Sequence, residues 1–123
     1  SVPAAPTVSV SNGLVARPRV RGPLQADCNK SVIVLFTQTI ARKQAYVEVT
    51  PGYLGAAASY DLEVPDLSGV SGYNAAWGLT VGAQTAYGLY VSNAPYAFAT
   101  AAAGVLWSNG DTFLFGTRVG NVP

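Results

Sequence analysis

Three arginines occupy every second position in the stretch LVARPRVRGPL, residues 14–24. Residues two apart in an extended chain project to the same side, so Arg17, Arg19 and Arg21 would form a cationic stripe along one strand face. Such a stripe can follow the phosphates of a nucleic acid, contact an acidic protein surface, or keep a sheet edge soluble. Pro18 cannot donate a hydrogen bond to a neighbouring strand, so the sequence predicts that this segment lies at an edge, at a bulge or outside the sheet.

The charge of the whole chain argues against nucleic acid as the partner. Seven basic and six acidic residues give a net charge of +1, whereas a nucleic-acid-binding domain usually carries a much larger basic patch. The charges are also unevenly distributed. Residues 1–50 hold six basic against two acidic residues, and residues 51–123 hold one basic against four acidic residues.

Two of the acidic residues, Asp61 and Glu63, alternate along a strand in the second half as the arginines do in the first. If the acidic and basic stripes lie on opposite sides of the domain, copies of the chain can join head to tail and build rings or filaments. If the stripes are neighbours in one sheet, they form ordinary internal ion pairs, and this argument for assembly fails.

The residue types present offer few catalytic groups. The chain has no histidine, which excludes Ser–His and Cys–His nucleophile pairs and histidine-ligated metal sites. The single Cys28 cannot form an internal disulfide. Asp61, Glu63, Asp66 and Asp111 could serve glycoside hydrolysis. The three carboxylates of YDLEVPD, residues 60–66, could bind Ca²⁺, but their spacing matches no EF-hand loop. Asp61 and Glu63 share one strand face, which is typical of a solvated surface. We predict a non-enzymatic protein without metal or cofactor.

The aromatic residues indicate a second kind of site. Trp77, Trp107 and seven tyrosines are present, and several lie near glycines, as in GYNAAWG at residues 72–78. Flat aromatic faces on a β-sandwich could bind carbohydrate rings, but Tyr and Trp are equally typical of protein interfaces. We favour the alternative in which both tryptophans lie in the core or cap it. Asn29-Lys30-Ser31 matches the N-glycosylation pattern, which matters only in a glycosylating secretory pathway.

The elements that must position these residues are β-strands. Alternation of apolar and polar residues, which is typical of half-buried strands, runs through TVSVS (7–11), QAYVEVT (44–50), SYDLEV (59–64), AYGLYV (86–91) and TFLFGTRV (112–119). SVIVLF, residues 31–36, is apolar on both faces and predicts a central strand that is covered on both sides. Asn12-Gly13 and Asn109-Gly110 predict hairpin turns.

We therefore predict an all-β fold: a single antiparallel β-sandwich, immunoglobulin-like or jelly-roll, with eight or nine short strands. One domain would span residues 1–123, with residues 1–6 as a Pro-containing extended N-terminal segment. The stretch at 93–107 fits either a strand, which we favour, or a short Ala-rich helix near 94–106. Its most apolar part, residues 96–107, is too short to cross a bilayer, so we expect no membrane span.

The composition predicts that a partner covers part of the protein surface. Half of the residues are hydrophobic and only 11% are charged, so much of the surface must be uncharged, and such surfaces are commonly buried in interfaces. Our first interpretation is a non-enzymatic structural subunit of an extracellular assembly, either a surface filament or a virion coat or decoration protein. It would form homo-oligomers or bind other subunits of the same assembly through β-edges and aromatic residues. The charged stripes would add complementary contacts through Arg17, Arg19, Arg21, Asp61 and Glu63.

The alternative interpretation is a secreted β-sandwich binding module. It would bind carbohydrate through Trp77 or Trp107, or serve as an immunoglobulin-like spacer in a larger surface protein. Either interpretation places the protein outside the cell, on a cell surface or a virion.

Overall fold

The computed structural model describes residues 2–93 and 114–123, and this part of the chain is mostly β-structure. Its seven strands are β1 (Thr7–Asn12), β2 (Ala16–Pro23), β3 (Ser31–Gln38), β4 (Lys43–Val49), β5 (Ser59–Glu63), β6 (Ala86–Ser92) and β7 (Phe115–Asn121). A one-turn helix, α1 (Pro51–Leu54), and a 3-10 turn at Ala75–Trp77 interrupt them. The all-β prediction is confirmed. The predicted helix or strand near 94–106, the Asn109-Gly110 turn and Trp107 lie outside the described residues.

The strands form two antiparallel sheets with the orders β1-β2-β5 and β4-β3-β6-β7. With the strands lettered as in immunoglobulin domains, these orders are A-B-E and C′-C-F-G. Of the two predicted kinds of sandwich, the immunoglobulin-like order is the one observed. The chain crosses between the sheets after β2, after β4 and after β5.

The hydrophobic core lies between the two sheets. Val20 of β2 and Leu62 of β5 join Val34 and Phe36 of β3 and Leu89 of β6 in one cluster, and none of the five is more than 3% exposed. β3 is paired with β4 on one side and with β6 on the other. The prediction of a central strand at residues 31–36 is therefore confirmed, but in the described residues its outer face is only partly covered, because Ile33 and Leu35 line a groove.

β2 is the middle strand of the three-stranded sheet, between β1 and β5. The prediction that Pro18 keeps this segment at an edge, at a bulge or outside the sheet is therefore wrong. The Pro18 carbonyl accepts a hydrogen bond from the Val64 N–H at 3.0 Å. Proline cannot return the reciprocal bond, and the Val64 carbonyl instead accepts from Nε of Arg17 at 2.9 Å. An arginine side chain thus replaces the missing backbone donor where the β2–β5 ladder ends.

The long connection between β5 and β6, residues 64–85, is held by Gln38 at the end of β3. Nε2 of Gln38 donates to the Thr80 carbonyl at 2.9 Å and to the Thr85 hydroxyl at 3.0 Å, and Oε1 accepts from the Thr80 N–H at 2.8 Å. The Gln38 side chain is fully buried, and these three bonds satisfy its amide. Lys43 of β4 also donates to the Gly78 carbonyl at 2.8 Å. The connection is therefore fixed against the ends of β3 and β4.

Two core tyrosines lie over glycines of the neighbouring strand. Tyr60 is opposite Gly22 and Tyr87 is opposite Gly120. A Cβ atom at Gly22 would lie 2.5 Å from the Tyr60 hydroxyl oxygen, and one at Gly120 would lie 2.7 Å from the Tyr87 ring. Each glycine thus leaves the space that a ring occupies. The Tyr60 hydroxyl is buried and has no hydrogen-bond partner among the described residues, and burial raises the pKa of Tyr60 to about 12.

The first prediction concerns the Gln38 amide. Gln38→Leu should lower the free energy of unfolding by about 2 kcal/mol, because it leaves polar groups of Thr80 and Thr85 without their partners. The matched control is Gln44→Leu at an exposed position on β4, which should change it by less than about 0.5 kcal/mol. Urea unfolding measures both. Equal losses in the two variants would contradict the proposed role of Gln38.

The second prediction concerns the Tyr60 hydroxyl. Tyr60→Phe should leave the free energy of unfolding at pH 7 unchanged or raise it by up to about 1 kcal/mol, because it removes an unpaired buried hydroxyl and keeps the ring over Gly22. The pKa of Tyr60 in the folded protein, about 12, lies above its ordinary value of 10. Stability linked to this group is therefore complete below pH 10 and is lost as the pH rises toward 12.

Thermal unfolding of the wild type and of Tyr60→Phe between pH 7 and pH 12 measures this linkage. The variant should lose less stability than the wild type over the alkaline range. An equally steep loss in both proteins would show that Tyr60 does not contribute to it.

Candidate interaction surfaces

The acidic and basic stripes lie side by side on the outer face of the three-stranded sheet. Along β2 the three arginines alternate with Pro18 and Val20, which are fully buried. The prediction that the arginines share one face is therefore confirmed. On β5, next to β2, Asp61 and Glu63 alternate with the buried Tyr60 and Leu62.

The two stripes form ion pairs diagonally across the β2–β5 ladder. Nε of Arg19 donates to Oδ1 of Asp61 at 2.7 Å, and Nη2 of Arg19 donates to Oδ2. Nη2 of Arg17 lies 3.4 Å from Oε1 of Glu63. The backbone register places Arg19 opposite Glu63 and Arg21 opposite Asp61, so each pair is displaced by one step along the face. The hydrogen bond from Arg19 lowers the pKa of Asp61.

This geometry corrects the argument for head-to-tail assembly through complementary charges. The acids are neighbours of the arginines in one sheet, and Arg17 and Arg19 are paired within the chain. Asp61 and Glu63 therefore offer no free complement to a second copy. Arg21 is exposed and forms no ion pair with any residue of the described part of the chain. Reversing all three arginines to glutamate would crowd carboxylates on this face and destabilise the domain itself.

The outer face of the four-stranded sheet is apolar and carries exposed aromatic rings. Tyr46 of β4, Tyr90 of β6 and Phe115 of β7 are 52%, 40% and 43% exposed. They line a groove of about 290 Å³ together with Ile33 and Leu35 of β3. We call this surface the apolar sheet face, and define it by Ile33, Leu35, Tyr46, Tyr90, Phe115 and Val119.

The ring of Tyr90 borders depressions on both sides. It lies over Gly88, where a Cβ atom would come within 3.1 Å of the ring. On one side is the groove that Phe115 also lines, and on the other is a depression of about 420 Å³ lined by Leu35 and Val119. Val119 is 77% exposed. The surface therefore has a ridge with a hollow on each side.

The apolar sheet face is almost neutral. Within the described residues, Glu48 is the one charged side chain that the strand register places on this side of the sheet. The Tyr46 hydroxyl donates to Oε2 of Glu48 at 2.7 Å. Burial, and then this hydrogen bond, raise the pKa of Tyr46 to about 12. None of the rings on this face is among the predicted site residues, although the apolar outer positions of β3 predict that other side chains cover them.

Trp77 lies in the β5–β6 connection and is 68% exposed. Its ring meets the ring of Tyr73 edge to face, with centroids 6.1 Å apart and planes at 81°. The Asn74 side chain accepts from the Ala76 N–H at 2.9 Å and begins the turn that carries Trp77. The interpretation that both tryptophans belong to the core is therefore wrong for Trp77, and Trp107 lies outside the described residues.

Residues 2–93 and 114–123 contain no group of three His, Cys, Asp or Glu side chains arranged to hold a metal ion. Over the same residues, no helix has the length and apolar character needed to span a membrane. Cys28 is buried in the core, and burial raises the pKa of its thiol.

The third prediction tests how much Arg17 stabilises the domain through its hydrogen bond at the end of the β2–β5 ladder. Arg17→Ala should lower the free energy of unfolding by about 1 kcal/mol, because the Val64 carbonyl loses its donor. Arg21→Ala is the matched control, since Arg21 lies on the same face without a described partner, and should cost less than about 0.5 kcal/mol. Chemical denaturation of both variants measures the difference. Equal losses of the free energy of unfolding in the two variants would mean that the hydrogen bond from Arg17 to the Val64 carbonyl contributes nothing to stability.

No protein-family model, no curated protein and no solved structure matches this chain, so its function has to be inferred from the surfaces described above.

Proposed function

We propose that the protein is a non-enzymatic structural subunit of an extracellular assembly, either a surface filament or a virion coat or decoration protein. The apolar sheet face is the observation that carries this proposal. Three aromatic rings stand exposed on it around an apolar groove, and the exposed Val119 lines the neighbouring depression. An exposed apolar patch of this kind is typical of a surface that another protein covers.

The shape of the face favours a second copy of the chain as its partner. The Tyr90 ridge lies between two hollows, so the ridge of one copy can enter a hollow of another when a two-fold axis relates them. An interface of this type brings the same patch of both subunits together. Charge repulsion between the two copies would be weak, because Glu48 is the one charge that the described residues place on the face. The Tyr46 hydroxyl is hydrogen-bonded to this carboxylate.

The size of the face indicates that one such contact is weak. Four strands of about seven residues cover roughly 450 Å² in plan, from strand spacings of about 4.8 Å and a rise of about 3.4 Å per residue. Two such faces would bury about 900 Å², which is below the ~1,200 Å² of a stable interface. A subunit would therefore need further contacts, and β1, β5, β4 and β7 border the two sheets. Several weak contacts per subunit suit a large assembly.

The fourth prediction tests the apolar sheet face. The double variant Phe115→Glu/Val119→Glu should weaken self-association about tenfold or more, because it places charges in the proposed contact. Both side chains are exposed in the single chain, so folding should be retained. The matched control is Tyr53→Glu on α1, which is 76% exposed and lies outside the face.

Sedimentation equilibrium over a range of concentrations measures association, and electron microscopy of the concentrated wild type shows its products. Polymers or shells in the wild type and in Tyr53→Glu, but not in the double variant, would support the proposal. A wild type that stays monomeric at the highest concentration, or a double variant that associates equally well, would refute it.

A secreted carbohydrate-binding module is the second candidate, because Trp77 is exposed. Tryptophan offers a large apolar face, and one that stands in water beside a second ring is available for stacking on a ligand. This candidate and the first are compatible, since Trp77 is not part of the apolar sheet face.

A further inference from the structure

We propose a saccharide-binding site in the cleft between the β1–β2 hairpin and the β5–β6 connection. Tyr73 lines the cleft, and Trp77, which packs edge to face on Tyr73 outside that lining, extends it into an aromatic wall. The inference rests on the second candidate function, to which it gives a location and a ligand class. It does not depend on self-association, because the cleft lies away from the apolar sheet face.

The cleft has a volume of about 300 Å³, at the lower end of the ~300–1,000 Å³ typical of small-ligand sites. The hairpin turn at residues 11–15 forms one side, and Asp66, Ser68 and Tyr73 form the other. The Ala16 N–H donates to the Leu79 carbonyl at 2.9 Å and joins the two sides. The cleft is therefore preformed, and it suits one or two sugar units.

Close packing holds the Tyr73 part of the aromatic wall in place. Tyr73 packs its hydroxyl beside Gly78, where a Cβ atom would come within 2.7 Å of it and within 2.4 Å of Val15. Trp77 meets Tyr73 edge to face and is itself 68% exposed. The apolar C–H face of a pyranose ring can stack on the exposed indole while its hydroxyls reach the cleft.

The polar side chains of the cleft can both accept and donate hydrogen bonds. Oδ1 of Asp66 accepts from the Ser68 N–H at 3.0 Å. This bond lowers the pKa of Asp66, so that the side chain is an ionised acceptor at neutral pH. Asn12 and Ser68 also line the cleft. The Asn12 amide can donate and accept, and the Ser68 hydroxyl, which is hydrogen-bonded to Asp66, can still accept. Sugar hydroxyls require this mixture, because each one is both donor and acceptor.

The charges of the cleft favour a neutral ligand over an anion. Arg17 lines the cleft, but its guanidinium already contacts Glu63 and the Val64 carbonyl. The carboxylate of Asp66 would repel a phosphate or a sulfate. A neutral polyhydroxylated ring satisfies the donors, the acceptors and the aromatic wall together, and this is why we infer a saccharide and not a nucleotide.

Titration of the ¹⁵N-labelled full chain with neutral hexasaccharides tests the site by two-dimensional NMR. The probes are β-1,4-linked glucose, β-1,4-linked N-acetylglucosamine and α-1,4-linked glucose. At least one probe should shift the Trp77 indole resonance, assigned from Trp77→Phe, together with the Ser68 and Tyr73 amides. Trp77→Ala and Asp66→Asn should each weaken binding about tenfold or more. The matched control Tyr53→Ala, at an exposed ring on α1, should leave binding unchanged.

Three outcomes would overturn the site: no shift with any probe, shifts confined to residues outside the cleft, or equal binding by Trp77→Ala. The spectral dispersion of each variant shows whether it is folded. The Phe115→Glu/Val119→Glu variant should bind the saccharide as the wild type does. Failure of the saccharide site is thereby separated from failure of the assembly proposal.

Discussion

Both faces of β3 must be shielded from water, and the rest of the structure follows from this constraint. The inner residues Val32, Val34 and Phe36 are fully buried against the three-stranded sheet. The outer residue Ile33 is only 7% exposed, although the described residues place no second sheet over it. Side chains of the neighbouring strands line the groove above it, and Tyr46 and Tyr90 remain 52% and 40% exposed. Neighbouring rings that still face water thus cover part of the apolar outer surface of β3, and a partner can complete the burial of this surface.

Several of the chain's few charged residues bond within its own fold. Arg17 and Arg19 pair with acids of β5. Lys43 and Arg118 donate to the carbonyls of Gly78 and Pro3 at 2.8 and 2.7 Å. Four of the seven basic residues therefore bond within the chain. Exposed ion pairs contribute little free energy, so the two pairs on the outer face add little to the stability of the domain.

Local patterns predicted the strands well, while strand order and loop exposure depended on contacts that are distant in sequence. The period of two placed the arginines on one face of β2, and the apolar run at 31–36 identified β3. The edge prediction for Pro18 was wrong because it considered the backbone alone. Arg17 donates to the Val64 carbonyl, which is 47 positions away in sequence. A rule based on neighbouring residues could not identify this donor. The acidic stripe was visible in the sequence, but only the order β1-β2-β5 makes it a neighbour of the arginines.

β3 also supports both proposed surfaces, one through its outer side chains and the other through its last residue. Its outer residues Ile33 and Leu35 line the groove of the apolar sheet face. Its last residue, Gln38, holds the β5–β6 connection through both the N–H and the carbonyl of Thr80. That connection carries Trp77, the exposed ring that packs against Tyr73. Since buried amide bonds fix the backbone of the connection at Thr80, the segment that carries Trp77 is anchored at that end without a ligand. Preorganisation of this kind reduces the entropy lost on binding, and in the proposed site it would help a small cleft with few polar groups to bind a rigid ring.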